Sequence, residues 1–264
     1  LLDRASRPMA LTEEGELLSR ASIESLGRLS QVVEDLRRLG RGDGNTVTIS
    51  CNLGFATYWL MPRLNYFSAA YPDIAVNVMA AYHGAAGLQS GSDIAIRYGK
   101  GDYPGLTAKF LQHDFLLPVC HPDIVDLSAP VIPQLAAMPL LYDEGQDLDI
   151  GWKLFTEQLG LSAEKAVSKL KVTDSTMLVE PILCKQGISL LRYSLVYELL
   201  KDKQLICPLP LYFQSGYSYY LVAPERHFRR SKVQRFEKWL NREMKQIEQH
   251  WREFSVNLSP LEQR

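Results

Sequence analysis

Residues 46–79 read TVTISCNLGFATYWLMPRLNYFSAAYPDIAVNVM, and the order of patterns inside this stretch decides the fold. Thr46 to Ser50 is a β-branched run, Ala56 to Ala70 carries helical spacing, and Ile74 to Met79 is β-rich again. Strand, helix, strand in that order predicts a crossover unit, and Asp93 to Arg97 supplies the next strand of a mainly parallel sheet. A second set follows: Leu140 to Tyr142 as strand, Trp152 to Leu159 as helix, Leu170 to Val172 as strand and Glu180 to Lys185 as helix. Gly187 to Leu191 then reads as a strand, Leu195 to Lys201 as a helix, and Leu205-Ile206-Cys207 as a short extended run. The last pair is a strand over Tyr217 to Ala223, ended by Pro224, and a long helix over Lys232 to Trp251 with Val233, Phe236, Trp239, Leu240 and Met244 on one side.

That pair has its natural home on the first set, so the chain crosses between two α/β lobes twice, near Leu117 to His121 and near Tyr217 to Leu221. The expected division is lobe I over 46–118 plus 221–264 and lobe II over 119–220. Two lobes joined by two strands leave a cleft where small ligands bind.

The residues before this unit behave differently. Thr12 is suited to cap a helix whose first turn holds Glu13 and Glu14. Leu18, Ser22, Ser25, Leu29, Val32, Leu36 and Leu39 then recur at steps of three and four, the seam spacing of paired helices. Arg20, Glu24, Arg28, Glu34, Asp35, Arg37 and Arg38 leave the apolar stripe narrow, which favours a dimerising helix over one lying on its own domain. Gly40 to Asn45 ends it as a joint, so residues 12–45 form a linker and dimerisation unit.

Composition narrows the function. With 46% hydrophobic and 22% charged residues over 264 positions, the chain has an ordinary globular make-up. Apolar runs such as Ile188 to Leu191 stop far short of the roughly 20 residues that span a bilayer, so no membrane partner is expected. The first residues lack the pattern of a secretory signal, which points to a cytoplasmic address. A formal net charge of -1 denies the chain the basic footprint of a complete nucleic-acid-binding surface. Cys51, Cys120, Cys184 and Cys207 stand singly in apolar surroundings and read as buried reduced thiols; neither a metal site nor a cofactor is expected. No Gly-x-Ser-x-Gly elbow, His-Glu-x-x-His pair or phosphate-binding Gly-Lys-Ser/Thr loop marks an enzyme.

Several segments, taken in order, resemble one family. Leu1 to Arg7 with Leu11-Thr12-Glu13-Glu14-Gly15 is similar to the wing and linker-helix start of LysR-type transcriptional regulators. Leu60-Met61-Pro62-Arg63-Leu64, Phe67 and Tyr71-Pro72-Asp73-Ile74 resemble the family's first effector-domain helix and the turn after it. Asp93 to Gly101 with Pro104-Gly105-Leu106 looks like the subgroup of the glycine-cleavage activator and the β-lactamase regulator. Pro118 to Pro122, Val172 to Thr176, Gly187 to Leu190, Tyr220 to Pro224 and Phe236 to Leu240 complete the series.

The resemblance implies a two-lobed effector domain of the periplasmic-binding-protein type II kind behind a long linker helix. It implies a homodimer or homotetramer, with promoter DNA and a small-molecule effector as partners. Residues 1–11 would be the end of a winged helix-turn-helix whose recognition helix is not among these residues, leaving Arg4 and Arg7 as the DNA-facing side chains. A two-lobed transport receptor is the alternative; the missing signal and the Leu18 to Leu39 seam count against it.

Ligands of crossover sheets gather beyond the carboxyl ends of the strands, near backbone N–H groups and helix N-termini. The turns so placed give the candidate effector site: Asn52, Gly54, Phe55 and Thr57; Tyr82 and His83; Tyr98 and Gly99; Tyr142 with Asp143; and Asp174, Ser175 and Thr176. Asp174-Ser175 is in most settings a plain helix cap, raised above that only by its expected place at a strand end, and His83 is more often a loop residue; Asn52 also fits a turn, and Tyr98 and Tyr142 a sheet cover.

Overall fold

The structure is a computed structural model that describes residues 1–3, 10–40, 45–81, 88–89, 91–144, 149–158, 160 and 168–261. Arg4, Arg7, Tyr82 and His83 lie outside them, as do the side chains of Leu36 and Leu39. Strands β1 (Leu2–Asp3) and β2 (Ala10–Leu11) pair antiparallel ahead of helix α1 (Glu13–Gly40). Thr12 starts that helix as its side chain predicts, its Oγ1 accepting the Gly15 N–H at 3.2 Å. Leu18, Leu29 and Val32 are exposed on α1, and so are Leu17, Ile23, Leu26 and Val33. The helix therefore presents a broader apolar face than the narrow seam expected.

The central sheet runs β4 (Ala75–Ala81), β3 (Thr46–Asn52), β5 (Ile94–Gly99), β10 (Leu211–Ala223), β6 (Thr107–Val119), β9 (Ser189–Arg192). Strand β3 is parallel to β4 and β5. Strand β10 is antiparallel to β5 and β6, and β6 to β9. The sheet is thus mixed rather than mainly parallel, because the two 13-residue strands that cross between the halves of the chain run against their neighbours. A separate parallel pair, β7 (Leu140–Asp143) and β8 (Ser168–Val172), joins the far end through a bridge from Leu140 to Ile188.

The helix expected over Ala56 to Ala70 is broken into three. A wide π-type turn over Phe55–Leu60 passes into a tight turn at Met61–Arg63 and then α2 (Leu64–Ala70). Pro62 has no N–H to continue the ladder, which accounts for the break. Helix α3 (Val131–Ala136) had no signal in the sequence. Helix α4 (Asp149–Gln158) lies where expected, whereas α5 (Thr176–Leu183) starts four residues ahead of Glu180, straight after Ser175. Helix α6 (Tyr193–Lys201) follows β9 without a loop, and α7 (Ser231–Phe254) closes the fold before a two-residue strand, β11 (Ser259–Pro260), pairs with the start of β10.

Alternation along the strands builds the larger core: Val47, Ile49 and Cys51 of β3 and Ile94 and Ile96 of β5 meet Phe236, Trp239 and Leu240 of α7. The same cluster takes in Val179 and Ile182 of α5 and Val196 of α6, so apolar packing is continuous between the two halves of the chain. A smaller core joins Leu116, Cys120, Leu135, Trp152, Phe155 and Ile188. Asp93 pins α7 to the sheet: it is buried, its carboxylate takes Arg230 at 2.7 Å and Lys232 at 2.9 Å, and it accepts the Thr48 N–H at 2.9 Å. The cysteines are free; Cys51 and Cys120 are buried and Cys207 is partly so, but Cys184 is exposed, contrary to expectation, because it sits just past the end of α5.

Candidate functional site

The carboxyl ends of β5, β7 and β9 and the start of α5 converge on one polar cluster. Arg192, the last residue of β9, is buried, and its Nη1 donates to Ser175 Oγ at 2.7 Å. Ser175 donates in turn to the carboxylate of Asp143, the last residue of β7, and the Arg192 guanidinium lies 3.9 Å from that carboxylate. Tyr98 of β5 covers the guanidinium with its ring, 4.8 Å from the centroid, and donates its hydroxyl to Ser215 of β10 at 2.6 Å. Tyr98 also packs on Tyr219 of β10 at 5.0 Å.

Below this lies a second polar layer. Asp114 of β6 is buried and accepts hydrogen bonds from Ser194 Oγ at 2.6 Å, the Ser194 N–H at 3.2 Å and the Phe115 N–H at 2.9 Å. Tyr219 Oη stands 3.0 Å from the same Ser194 hydroxyl. Burial pushes the Asp114 carboxyl up to about 6, against the pull of the Ser194 bond, the backbone N–H groups and Arg192.

The loop after β3 packs against the starts of α5 and α6. Asn52 Oδ1 accepts the Phe55 N–H at 2.8 Å, holding the turn, and Phe55 is buried between Trp59 at 4.7 Å and Tyr219 at 5.0 Å. A Cβ on Gly54 would stand 2.9 Å from Leu195 Cδ2 and 3.4 Å from Thr176 Oγ1, so a larger residue here would make the Leu195 side chain shift. Asn52→Ala removes the side-chain acceptor from the turn and is expected to cost about 1 kcal/mol, read as a lower urea midpoint at unchanged slope. A midpoint equal to that of the parent chain would show that the cap carries nothing.

Of the residues singled out from sequence, Tyr98 and Ser175 enter the cluster itself. Asp174 accepts from the N–H of Thr176 at 2.9 Å and from its hydroxyl, so these two close the turn onto α5. Gly99 is buried, with space for a Cβ closed off by Tyr103 Oη at 2.7 Å, and Thr57 is exposed. Tyr142 faces away: it stacks on Trp152 at 5.1 Å, on the opposite side of β7 from its neighbour Asp143. Tyr82 and His83 lie outside the described residues. Arg192, Asp114, Ser194, Ser215 and Tyr219 were not singled out. Arg192 left one signal, a cation directly at the end of the apolar run Ile188 to Leu191, and Asp114 another, a carboxylate inside a β-rich run.

Among the described residues no group of three or more His, Cys, Asp or Glu could hold a metal, and no helix is long and apolar enough to cross a membrane. The Cys51, Cys120 and Cys207 thiols are pushed up to about 12 by burial, which keeps them protonated and poor nucleophiles at neutral pH.

Two α/β halves on a shared mixed sheet, with polar side chains gathered at the strand ends between them, define an effector-binding domain of the periplasmic-binding type II class. The model of the LysR substrate binding domain matches residues 40–245, and the chain belongs to that family of transcriptional regulators. It is 30% identical over 242 residues to the glycine cleavage system transcriptional activator of Escherichia coli (strain K12), covering 91% of this chain and 78% of that one. It is 27% identical over 237 residues to the HTH-type transcriptional activator AmpR of Rhodobacter capsulatus, covering 90% and 79%. Among solved structures, the AmpR effector binding domain from Citrobacter freundii superposes with a TM-score of 0.61 at 20% identity, over 76% of this chain and 99% of that chain. CrgA, a LysR-type regulator from Neisseria meningitidis, gives 0.57 at 18% identity, over 92% and 83%. Membership of this family favours a regulator over a transport receptor.

Proposed function

We propose that a small-molecule effector binds between the two lobes at the cluster of Tyr98, Ser175, Arg192 and Asp143, and that its occupancy alters how the oligomer holds promoter DNA. Lobe I would comprise 46–118 with 221–264 and lobe II 119–220. The single observation behind this reading is the cluster itself: side chains from β5, β7, β9, β10 and the start of α5 meet at strand ends, where backbone and side-chain donors serve a ligand. An effector changes the regulator only by its differential affinity for two arrangements of the lobes, typically about 1 to 3 kcal/mol of coupling. The reading needs no chemical step, and it places the protein in the cytoplasm with its DNA.

Native mass spectrometry of the chain purified from its source cell tests the site. A bound small molecule should be present in the parent chain and lost in Tyr98→Ala; retention in that variant places the ligand elsewhere.

The apolar face of α1 supports pairing of protomers through this helix, with Leu18, Leu29 and Val32 inside the contact. Leu29→Asp combined with Val32→Asp should convert a dimer or tetramer into smaller species by light scattering, with an unchanged far-ultraviolet circular dichroism spectrum. An unchanged mass would remove α1 from the interface.

A further inference from the structure

Asp114 connects three elements that meet at the boundary of the two halves. It belongs to the crossing strand β6, its carboxylate caps the first turn of α6 through both donors of Ser194, and Ser194 reaches Tyr219 on the other crossing strand, β10. The sequence neighbours of these bonds converge on a single ring: Trp251 of α7 stacks on Phe115 with centroids 3.9 Å apart and meets Tyr193 edge-on at 4.8 Å. Phe115 adjoins Asp114, and Tyr193 adjoins Ser194.

We infer that Asp114 is a proton-operated tie between β6 and α6, and that uptake of one proton at its carboxyl rearranges the first turn of α6 and is felt at Trp251. The tie does not depend on what fills the cleft. In the ionised form the carboxylate accepts three hydrogen bonds, two from backbone N–H groups and one from the Ser194 hydroxyl. A proton taken from solvent makes one carboxyl oxygen a donor. Ser194 Oγ must then accept from it and turn its own hydrogen toward Tyr219 Oη, and the anion that met the amino end of α6 is gone. No covalent bond beyond the new O–H forms or breaks.

Among the described residues, few charged or titratable groups surround this tie. Tyr219 faces it from β10 and Arg192 from the end of β9. Tyr193 of α6 is held far above the ordinary phenol range by burial and stays neutral. Behind Tyr193, its hydroxyl meets His250 of α7, and Glu198, Lys201 and Glu253 surround that imidazole. Burial lowers the His250 value from 6.5, so His250 is the competing titration and must be controlled.

Because the folded carboxyl holds its proton above the ordinary value of 3.8, its contribution to stability is complete below that value and is lost as the pH rises through about 6.

The experiment follows the full chain labelled with 5-fluorotryptophan and with ¹³C-carboxyl aspartate, titrated from about pH 5 to about pH 8, the window around the expected midpoint. Trp251→Phe assigns the ring signal and Asp114→Asn the carboxyl. Both signals should move with a shared midpoint near 6 in the parent chain and in His250→Gln. Asp114→Asn should abolish the movement at Trp251. Ser194→Ala, which removes a charge-assisted bond, should raise the carboxyl midpoint by about one unit, and it serves alone if Asp114→Asn fails to fold. The inference falls if the Trp251 movement survives in Asp114→Asn or disappears in His250→Gln. It falls equally if the Asp114 carboxyl titrates in the ordinary aspartate range, or titrates near 6 with a still Trp251.

Discussion

Arg192→Ala should lower the stability of the fold by about 3 to 5 kcal/mol, an amount that a marginally stable domain cannot lose without showing it in every denaturation curve. The guanidinium is buried, bonded to Ser175 at 2.7 Å and placed 3.9 Å from Asp143, whose side chain is only 2% exposed. Removing it leaves a buried carboxylate beside a cavity, and a buried charge stripped of its cation costs more than the pair contributed. That asymmetry supplies its own control. If both charges go, in Arg192→Met with Asp143→Leu, most of the loss should be recovered, since apolar side chains of similar volume often replace a buried pair at little cost. Urea unfolding of the two variants measures this. A single variant within about 1 kcal/mol of the parent, the range of an exposed pair, would mean that the cluster is solvated and not the buried centre described.

Phe55→Ala should be of similar size, about 3 to 5 kcal/mol, through a different mechanism. The ring is fully buried, stacks on Trp59 and tilts on Tyr219, so its loss opens a void that these two aromatic side chains cannot readily collapse into. Phe55 is also the residue whose N–H is held by Asn52, so the void lies directly under the loop that approaches Leu195. The variant should therefore bind a cleft ligand more weakly as well as unfold earlier. Phe55→Leu, which fills most of the volume, should restore the greater part of both. Equal losses in the two variants would show that ring stacking, and not filled space, holds the loop.

The elements most legible in the sequence were those whose side chains obey a period. The strands β3, β5 and β9 and the helices α6 and α7 lie close to their expected places: apolar side chains alternate along β3 and β5 and recur at helical spacing along α7, although all three strands are buried on both faces. The full length of β6 and β10 was not legible: only the apolar end of β10, Tyr217 to Ala223, reads as a strand, while its first residues follow a proline and include Ser215 and Gly216. Their pairing with distant partners carries them, and no local pattern records that.

Of the polar cluster, strand ends point in the sequence to Tyr98 and Ser175, but not to Arg192 or Asp114. A buried ion is specified by partners far away in sequence, Asp143 in one case and Ser194 in the other, and spacing along one segment is silent about both. Tyr142 shows the same limit in reverse. One step along β7 sends Asp143 toward Ser175 and Tyr142 toward Trp152.

The sheet order places β10 between β5 and β6, with Tyr220 opposite both Arg97 and Phe110. During synthesis the ribosome delivers β5 and β6 long before their shared neighbour, so the nascent chain carries two unpaired strand edges until residues 211–223 emerge. The slow event in maturation should then be insertion of this late strand, and a chain interrupted before Leu211 should aggregate or be degraded instead of folding as a smaller domain.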